Sequence, residues 1–290
     1  MKRFLPFLLL LPSILLLTCF TIIPLIYTFY LSFFDWNMIS PNKKFVGFEN
    51  YINIFSDPTF FKITYQTFFY IILLILLNTV LTYIFAFFVS YFVKSTKRFF
   101  QTTIFLPSVI SLVVGSMVYL WVLNPVSGPA AQLLAFIGLD MPNWSRTEGW
   151  IIVVISLIVG WKVFGYNFLV LYSGIIGIPK EIIEAARLDN ISTFRIFVDI
   201  ILPMSSSTGF YILILTIVQG LQYVFTPISV LTQGGPNYLS SNLIYHAYHE
   251  GFTLYNTGTS AAISIVTLSI FILLLILQFV FVERGVHYEN

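Results

Sequence analysis

The sequence predicts an all-α membrane protein with six transmembrane helices. Hydrophobic residues make up 58% of its 290 residues and charged residues only 9%, whereas charged residues form about a quarter of an ordinary soluble domain. The mean hydropathy is +0.91. Six apolar stretches also reach the length of about 20 residues that a helix needs to cross a hydrocarbon core of ~30 Å. Lipid offers no partner to an unpaired backbone group, so these stretches must be helical.

The predicted spans follow one another along the chain with polar connections between them. They cover residues 10–34, 68–93, 103–123, 150–176, 209–231 and 258–282. The first follows the basic residues Lys2 and Arg3 and is too long for the apolar region of a cleaved signal, so it is predicted to be a retained span. Pro24, Pro107 and Pro227 lie inside spans and predict kinks rather than breaks.

Basic residues predict the orientation, because they favour the cytoplasmic side in short loops. With both termini inside, the cytoplasmic set is Lys2, Arg3, Lys94, Lys97, Arg98, Lys180, Arg187, Arg195 and Arg284, against Lys43, Lys44, Lys62 and Arg146 outside. The net charge is only +2, which does not favour nucleic acid as a partner. The chain has a single cysteine, Cys19, and so cannot form an internal disulfide. The sequence also has no Cys/His cluster, so it does not predict a structural metal site.

A polar connection at residues 178–203, IPKEIIEAARLDNISTFRIFVDIILP, has the pattern of a folded elbow. Pro179 suits the start of a helix, and Ala185 and Ala186 give that helix a low profile against which another protein can pack. Asp189 and Asn190 indicate a turn. Ser192 can then cap a second helix, whose apolar residues repeat at helical spacing: Phe194, Phe197, Val198, Ile201 and Leu202. Pro203 is predicted to close it. An elbow that merely lies on the membrane surface is the alternative.

This elbow resembles a known motif. The run EAARLDN, followed by Phe194, Phe197, Ile200 and Pro203, resembles the "EAA" loop of binding-protein-dependent ABC importer permeases of type I. The preceding GIPKEIIEAA resembles the carbohydrate branch, related to maltose and glycerol-3-phosphate permeases, as do LTQGGPN at 231–237 and the later Gly258, Ala261 and Ala262. The family usually has glycine where this chain has Asn190, the next most tolerant residue of positive φ.

The resemblance implies a division of labour. In that family the loop forms coupling helices that dock on a cytoplasmic ATPase, so Glu184, Ala185, Ala186, Asp189, Asn190 and Pro203 are expected to serve ATPase coupling. The expected partners are a second permease, two ATPase subunits that hold ATP and magnesium, an extracytoplasmic solute-binding protein, a sugar and membrane lipid. The chain itself has no G-x-x-x-x-G-K-[ST] phosphate loop, so it is expected to be a transport subunit, not an enzyme, with no cofactor of its own.

The expected location is a bacterial or archaeal plasma membrane, with both termini cytoplasmic. The domain organisation implied is an N-terminal helix and outer loop at 1–66, a type I transmembrane domain at 67–282 that contains the coupling loop 178–203, and a cytoplasmic tail at 283–290.

Polar and aromatic residues within spans are candidates for the translocation path, because polar groups are costly against lipid. The candidates are Asn78, Tyr83, Trp161, Tyr166, Asn167, Gln219 and Tyr223, with Lys162 and Gln222 beside them. Each could instead join helices to one another, and Lys162 could snorkel towards an interface. His246 and His249 with Glu250 suggest a metal site, but an outer-loop contact with a binding protein is favoured because metal ligation needs more ligands.

Two rival functions remain open from the sequence. An ion-coupled secondary transporter would need intramembrane carboxylates, and the predicted spans hold none away from their ends. A membrane-bound enzyme would need a polar constellation near an interface, and the nearest options, Asp140 with Glu148 or His246 with Glu250, match no known motif.

Overall fold

The computed structural model describes residues 5–282, and the side chains of residues 9–280. Lys2, Arg3 and Arg284, which contribute to the predicted orientation, lie outside the described residues, as do both termini and the predicted tail at 283–290. The prediction of an all-α membrane protein is confirmed, since helices account for almost all of the regular structure in the described part.

The helices and strands follow in chain order, several α-helices being joined by short π-helical segments. They are α1 (Leu5–Leu17), a π segment (Thr18–Ile22), α2 (Ile23–Leu31), β1 (Phe34–Asp35), β2 (Lys44–Phe45), α3 (Glu49–Ser56), α4 (Pro58–Ile75), a π segment (Leu76–Leu81), α5 (Thr82–Phe92), α6 (Lys97–Val109), α7 (Leu112–Val122), α8 (Pro129–Phe136), α9 (Trp150–Ile176), α10 (Lys180–Leu188), α11 (Thr193–Arg195), a π segment (Ile196–Ile201), α12 (Leu202–Met204), α13 (Ser206–Pro227), a π segment (Ile228–Thr232), α14 (Leu243–Tyr248), a π segment (His249–Thr253) and α15 (Thr257–Val282).

Within the described residues, five helical runs are long and apolar enough to cross a membrane. They are Leu9–Leu31, Pro58–Phe92, Trp150–Ile176, Ser206–Thr232 and Thr257–Val280. A bent pair, α6 with α7, makes a sixth if it counts as one span. The second run begins well before the predicted residue 68, because Pro58 starts a helix whose first turns are polar.

The third predicted span, 103–123, is wrong as a continuous helix. Helices α6 and α7 meet at an angle of 98°, and the backbone between them is extended, with ψ of 137° at Ile110 and 135° at Ser111. Pro107 therefore does not kink a continuous helix, because the chain leaves the helical conformation three residues later. Pro227, in contrast, is followed directly by a helical segment.

The chain divides into two compact units. The first combines residues up to Lys62 with Leu243–Ile270. Its strands β1 and β2 pair antiparallel, with Phe34 opposite Phe45. The buried Asn50 amide donates to the carbonyls of Ser32 (2.9 Å) and Phe34 (3.0 Å). Gly258 leaves no room for a side chain, since a Cβ there would stand 1.8 Å from the Phe34 carbonyl oxygen.

The second unit combines Ile63–Asn242 with the described residues from Phe271 onwards. Helix α9 is its central element and packs against α5, α6, α7 and α13. Its Ile155, Ile158, Phe168 and Leu171 have no exposed surface. A Cβ at Gly165 would lie 2.4 Å from the Ile104 carbonyl oxygen, so the missing side chain lets α6 approach the α9 backbone closely.

Candidate coupling and translocation sites

The elbow at 178–203 begins with α10, which ends in a complete Schellman motif. The amide of Ile191 donates to the Ala186 carbonyl (3.0 Å), and the amide of Asn190 donates to the Arg187 carbonyl (3.1 Å). Asn190 has φ of +54°, the left-handed conformation for which glycine is usual. The expectation that asparagine preserves this turn is confirmed.

The second half of the elbow differs from the predicted amphipathic helix. The Ser192 hydroxyl caps it, as expected, by accepting from the Arg195 amide. Residues Ile196–Ile201 then form a π segment, which changes the register of the faces. Ile196 and Ile201 are therefore buried, whereas Phe194 of the predicted apolar stripe is 74% exposed.

The helical run that begins at Thr193 ends at Met204, one residue after Pro203. Ser205 then separates α12 from α13, with ψ of 13°.

The predicted coupling residues take different positions around α10. Glu184, Ala185, Asp189 and Asn190 are exposed, but Ala186 is buried in the core cluster that also contains Ile196. Of the two alanines, Ala185 alone therefore contributes to the low-profile outer face, because Ala186 packs in the core. Asp189 and Asn190 border a surface hollow of ≈ 450 Å³.

A polar cavity of ≈ 380 Å³ lies among the spans of the second unit. It brings together four of the intramembrane residues singled out in the sequence: Lys162 and Tyr166 from α9, and Gln219 and Tyr223 from α13. Ser108 from α6 also lines it. Sequence reasoning missed Ser108, although a hydroxyl directly after Pro107 within a predicted span was the available signal.

Lys162 has a specific structural role at this cavity. Its ammonium donates to the carbonyls of Ser108 (2.9 Å) and Ile110 (2.7 Å), and the Ser108 hydroxyl donates back to the Lys162 carbonyl (2.9 Å). These acceptors lie where α6 ends and the backbone becomes extended. Because a broken helix leaves carbonyls without intrahelical partners, Lys162 stabilises the break between α6 and α7 and does not snorkel.

The remaining candidates lie elsewhere. Asn167 is buried and donates to the Asn78 carbonyl (2.9 Å) and to the Thr216 hydroxyl (3.3 Å), so it joins three helices. Asn78 has no exposed surface. The Tyr83 hydroxyl donates to the Ser205 carbonyl (3.0 Å) and bonds the Ser205 hydroxyl.

Trp161 lines a separate, mainly apolar cleft of ≈ 500 Å³. Its ring packs edge-on against Tyr119, with 5.4 Å between centroids. Gln222 is exposed on α13 and does not line the polar cavity. The geometry therefore separates helix-joining residues from cavity-lining residues, a distinction that residue type alone did not give.

The two histidines belong to the first unit, on α14 and the segment after it. Burial lowers the pKa of His246, so the imidazole is held neutral at physiological pH. His249 stacks on Tyr245 at 6.2 Å. Among residues 5–282, no group of three or more His, Cys, Asp and Glu side chains is arranged to hold a metal ion.

Comparison with known proteins gives consistent matches along the chain. A family model described as "Binding-protein-dependent transport system inner membrane component" matches residues 80–286. The sn-glycerol-3-phosphate transport system permease proteins UgpA of Escherichia coli (strain UTI89 / UPEC) and of Salmonella typhimurium (strain LT2) are each 30% identical over 288 residues, or 99% of this chain and 97% of the relative.

The fold matches solved structures as well. A chain in the crystal structure of a bacterial ABC transporter involved in the import of the acidic polysaccharide alginate superposes with a TM-score of 0.84 at 21% identity, over 98% of this chain and 96% of that one. A second structure, of the bacterial alginate transporter in complex with an alginate pentasaccharide-bound periplasmic protein, matches with the same values. At this identity the likeness concerns the fold.

The left-handed turn at Asn190 generates a first prediction. Asn190→Val should lower the stability of the elbow, because a β-branched residue at positive φ costs about 1–2 kcal/mol, whereas Asn190→Gly should be neutral or slightly stabilising. The thermal unfolding midpoint of the detergent-purified chain measures both changes. Equal midpoints for the valine and glycine variants would show that the φ of this residue does not matter.

The helix break generates a second prediction. Lys162→Met should destabilise the second unit, because each buried carbonyl left without a donor costs about 1–3 kcal/mol. Gln222→Leu is the matched control, since it also removes a polar group from a span but breaks no hydrogen bond found in the structure. The thermal unfolding midpoint in detergent should fall for the Lys162 variant and not for the Gln222 variant. An unchanged midpoint in the Lys162 variant would show that Lys162 does not stabilise the break.

Proposed function

Because the chain belongs to the family of binding-protein-dependent transport system inner membrane components, we propose that it is one permease subunit of an ATP-driven importer that carries a sugar or oligosaccharide. The observation that carries this proposal is the elbow, in which an exposed, capped helix with the sequence EAARLDN projects between two spans. Such a rigid, solvent-facing element suits docking by a separate protein.

Glu184, Ala185, Asp189 and Asn190 are proposed to contact the ATPase or to shape the contacting turn. Ala186 is proposed to seat α10 against the second unit instead, since it is buried. Two ATPase subunits would bind ATP and magnesium, because this chain has no phosphate loop. Their closure on ATP would move α10 and favour one access state of the spans over the other.

The polar cavity is proposed to form part of the translocation path. Gln219 can donate and accept hydrogen bonds to hydroxyls, and the rings of Tyr166 and Tyr223 offer faces on which the C–H groups of a sugar can stack. Asn167 is proposed to hold helices together, because its buried amide already donates to the Asn78 backbone carbonyl and the Thr216 hydroxyl. Asn78 has no exposed surface, so it is not proposed to contact the cargo.

The sugar assignment rests on chemistry shared with the relatives. The matched permease proteins are named for sn-glycerol-3-phosphate, and the matched structures come from transporters of an acidic polysaccharide. Both solutes carry hydroxyl groups. The polar donors and aromatic rings of the cavity suit a hydroxylated solute of this kind.

The remaining subunits follow from the family. We propose a second permease beside this chain and an extracytoplasmic solute-binding protein that delivers the cargo, as in the complex reported for the alginate transporter. The elbow and both termini are proposed to face the cytoplasm, on the basis of the Lys and Arg distribution. The boundaries at residues 66 and 282 remain proposals for the limits of the transmembrane domain.

An ion-coupled secondary transporter is the alternative. It would need intramembrane carboxylates to bind the coupling ion, and the five continuous spans among the described residues contain none away from their ends. Uptake by the chain alone in liposomes, without ATPase subunits, would favour this alternative.

The coupling assignment generates a third prediction. Glu184→Gln and Asp189→Asn should abolish ATP-dependent uptake and weaken retention of the ATPase subunits, because both residues are exposed on the proposed docking surface. Insertion into the membrane should not change. Uptake in vesicles and the ATPase content of the purified complex measure the two effects.

Glu181→Gln is the matched control for that experiment. It removes a carboxylate from the same helix, in its first turn, outside the residues proposed to dock. Normal uptake by the Glu184 and Asp189 variants, or an equal loss in the Glu181 variant, would refute the assignment.

The cavity assignment generates a fourth prediction. Gln219→Ala and Tyr223→Ala should each lower cargo-stimulated ATPase activity of the assembled transporter about fivefold, the effect of one hydrogen bond worth ~1 kcal/mol. Gln222→Ala should have no such effect. The probes are sn-glycerol-3-phosphate, a neutral maltooligosaccharide and a uronate oligosaccharide, each with the binding protein. If none of the three probes stimulates the ATPase activity, the sugar assignment is wrong.

A further inference from the structure

A second cavity, of ≈ 200 Å³, lies behind the coupling helix α10, within the second unit. Three cationic side chains line it: Lys97 at the start of α6, and Lys180 and Arg187 on α10. Glu184 is the one carboxylate among its lining residues. The cavity therefore has an excess of positive charge, which the proposed transport path does not use.

The cationic groups retain hydrogen-bonding capacity. The Lys97 ammonium donates to the Ser90 carbonyl (3.1 Å), and an ammonium has three N–H donors. The Arg187 guanidinium lies 4.2 Å from the centre of the Tyr91 ring and donates through Nε to the Tyr91 hydroxyl (3.0 Å). These contacts fix the plane of the guanidinium and leave its outer N–H groups available to a ligand. Lys180 is exposed and, among the described residues, has no hydrogen bond or ion pair.

The other side of the cavity is apolar. It consists of five isoleucines, Ile175, Ile176, Ile178, Ile183 and Ile201, of which Ile175, Ile178 and Ile201 are buried. A site for a fully hydrated anion would not combine a cationic rim with this much branched aliphatic surface. An amphipathic molecule with an anionic head matches both halves.

The position of the cavity relative to the bilayer supports the same ligand. Helix α9 has 27 residues and is about 40 Å long at ~1.5 Å per residue, which exceeds a hydrocarbon core of ~30 Å. Its last residues, Ile175 and Ile176, therefore reach the headgroup layer. Ser90 and Tyr91 lie at the end of the second span, and Lys97 lies where the chain turns back. The cationic rim is thus at the depth of lipid phosphates.

We infer that this cavity binds the phosphate headgroup of an anionic phospholipid, with Lys97, Lys180 and Arg187 contacting the phosphate and the exposed Ile176 contacting the lipid's apolar part. Basic pockets between transmembrane helices are established sites for such headgroups. Two of the three cations lie on α10, so bound lipid would connect the coupling helix to the end of the second span. The inference does not depend on the identity of the cargo.

The experiment uses the assembled transporter purified in detergent and then placed in nanodiscs of phosphatidylcholine with or without phosphatidylglycerol. Native mass spectrometry counts retained phosphatidylglycerol. The double variant Lys97→Gln/Lys180→Gln should bind it about thirtyfold more weakly, as expected for two lost cation contacts. Arg187 is left in place because it packs on Tyr91, so folding is preserved.

The matched control is Lys94→Gln/Arg98→Gln, which removes two cations from the same connection outside the cavity lining. Unchanged lipid retention there, with loss in the cavity variant, supports the inference. Equal loss in both would indicate unspecific surface charge and overturn it. Displacement of the retained phosphatidylglycerol by added inorganic phosphate would also overturn the inference. So would loss of ATPase subunits from the cavity variant with its lipid retained, which would assign the cavity to a protein partner.

Discussion

The hydrogen bonds of Lys162 to the Ser108 and Ile110 carbonyls are the interaction on which the membrane part of the second unit depends. Within a bilayer each freed backbone carbonyl must find a donor in the protein or in a water-filled cavity, because lipid offers none. At the extended backbone between α6 and α7, another helix brings the donor. Lys162 does so from the middle of α9, the central helix that packs against α5, α6, α7 and α13. The same group thus permits the break and lines the polar cavity beside it.

Local satisfaction of backbone groups also defines the elbow. The Schellman bonds at Ala186 and Arg187 end α10 within one residue, and the Ser192 hydroxyl starts the next helical turn. Because these bonds lie within the segment, the elbow keeps its shape without a partner protein. A docking element of this kind pays little ordering entropy when it binds.

The sequence predicted those features that depend on short-range chemistry. The spans follow from apolar length, and the turn at Asn190 follows from its tolerance of positive φ. Features that depend on distant contacts were missed. The break after Val109 requires Lys162, which is more than 50 residues away, and the burial of Ile196 in place of Phe194 requires a π segment that shifts the helical register. Neither feature can be predicted from residue spacing, because the residues that make each contact are far apart in the sequence.

The junction between the elbow and the spans bears on how force could pass between them. Phe197 packs on the Phe87 ring at 4.8 Å, and the Tyr83 hydroxyl donates to the Ser205 carbonyl at the junction of α12 and α13. Helix α13 then continues without a break to Gln219 and Tyr223 at the cavity. A displacement of the elbow must either shift α13 as a rigid body or break the Tyr83 hydrogen bond. Spatial continuity alone does not establish coupling, which requires an element with two stable arrangements. At the Ser205 junction, the Tyr83 side chain from another helix holds the chain where α12 ends and α13 begins.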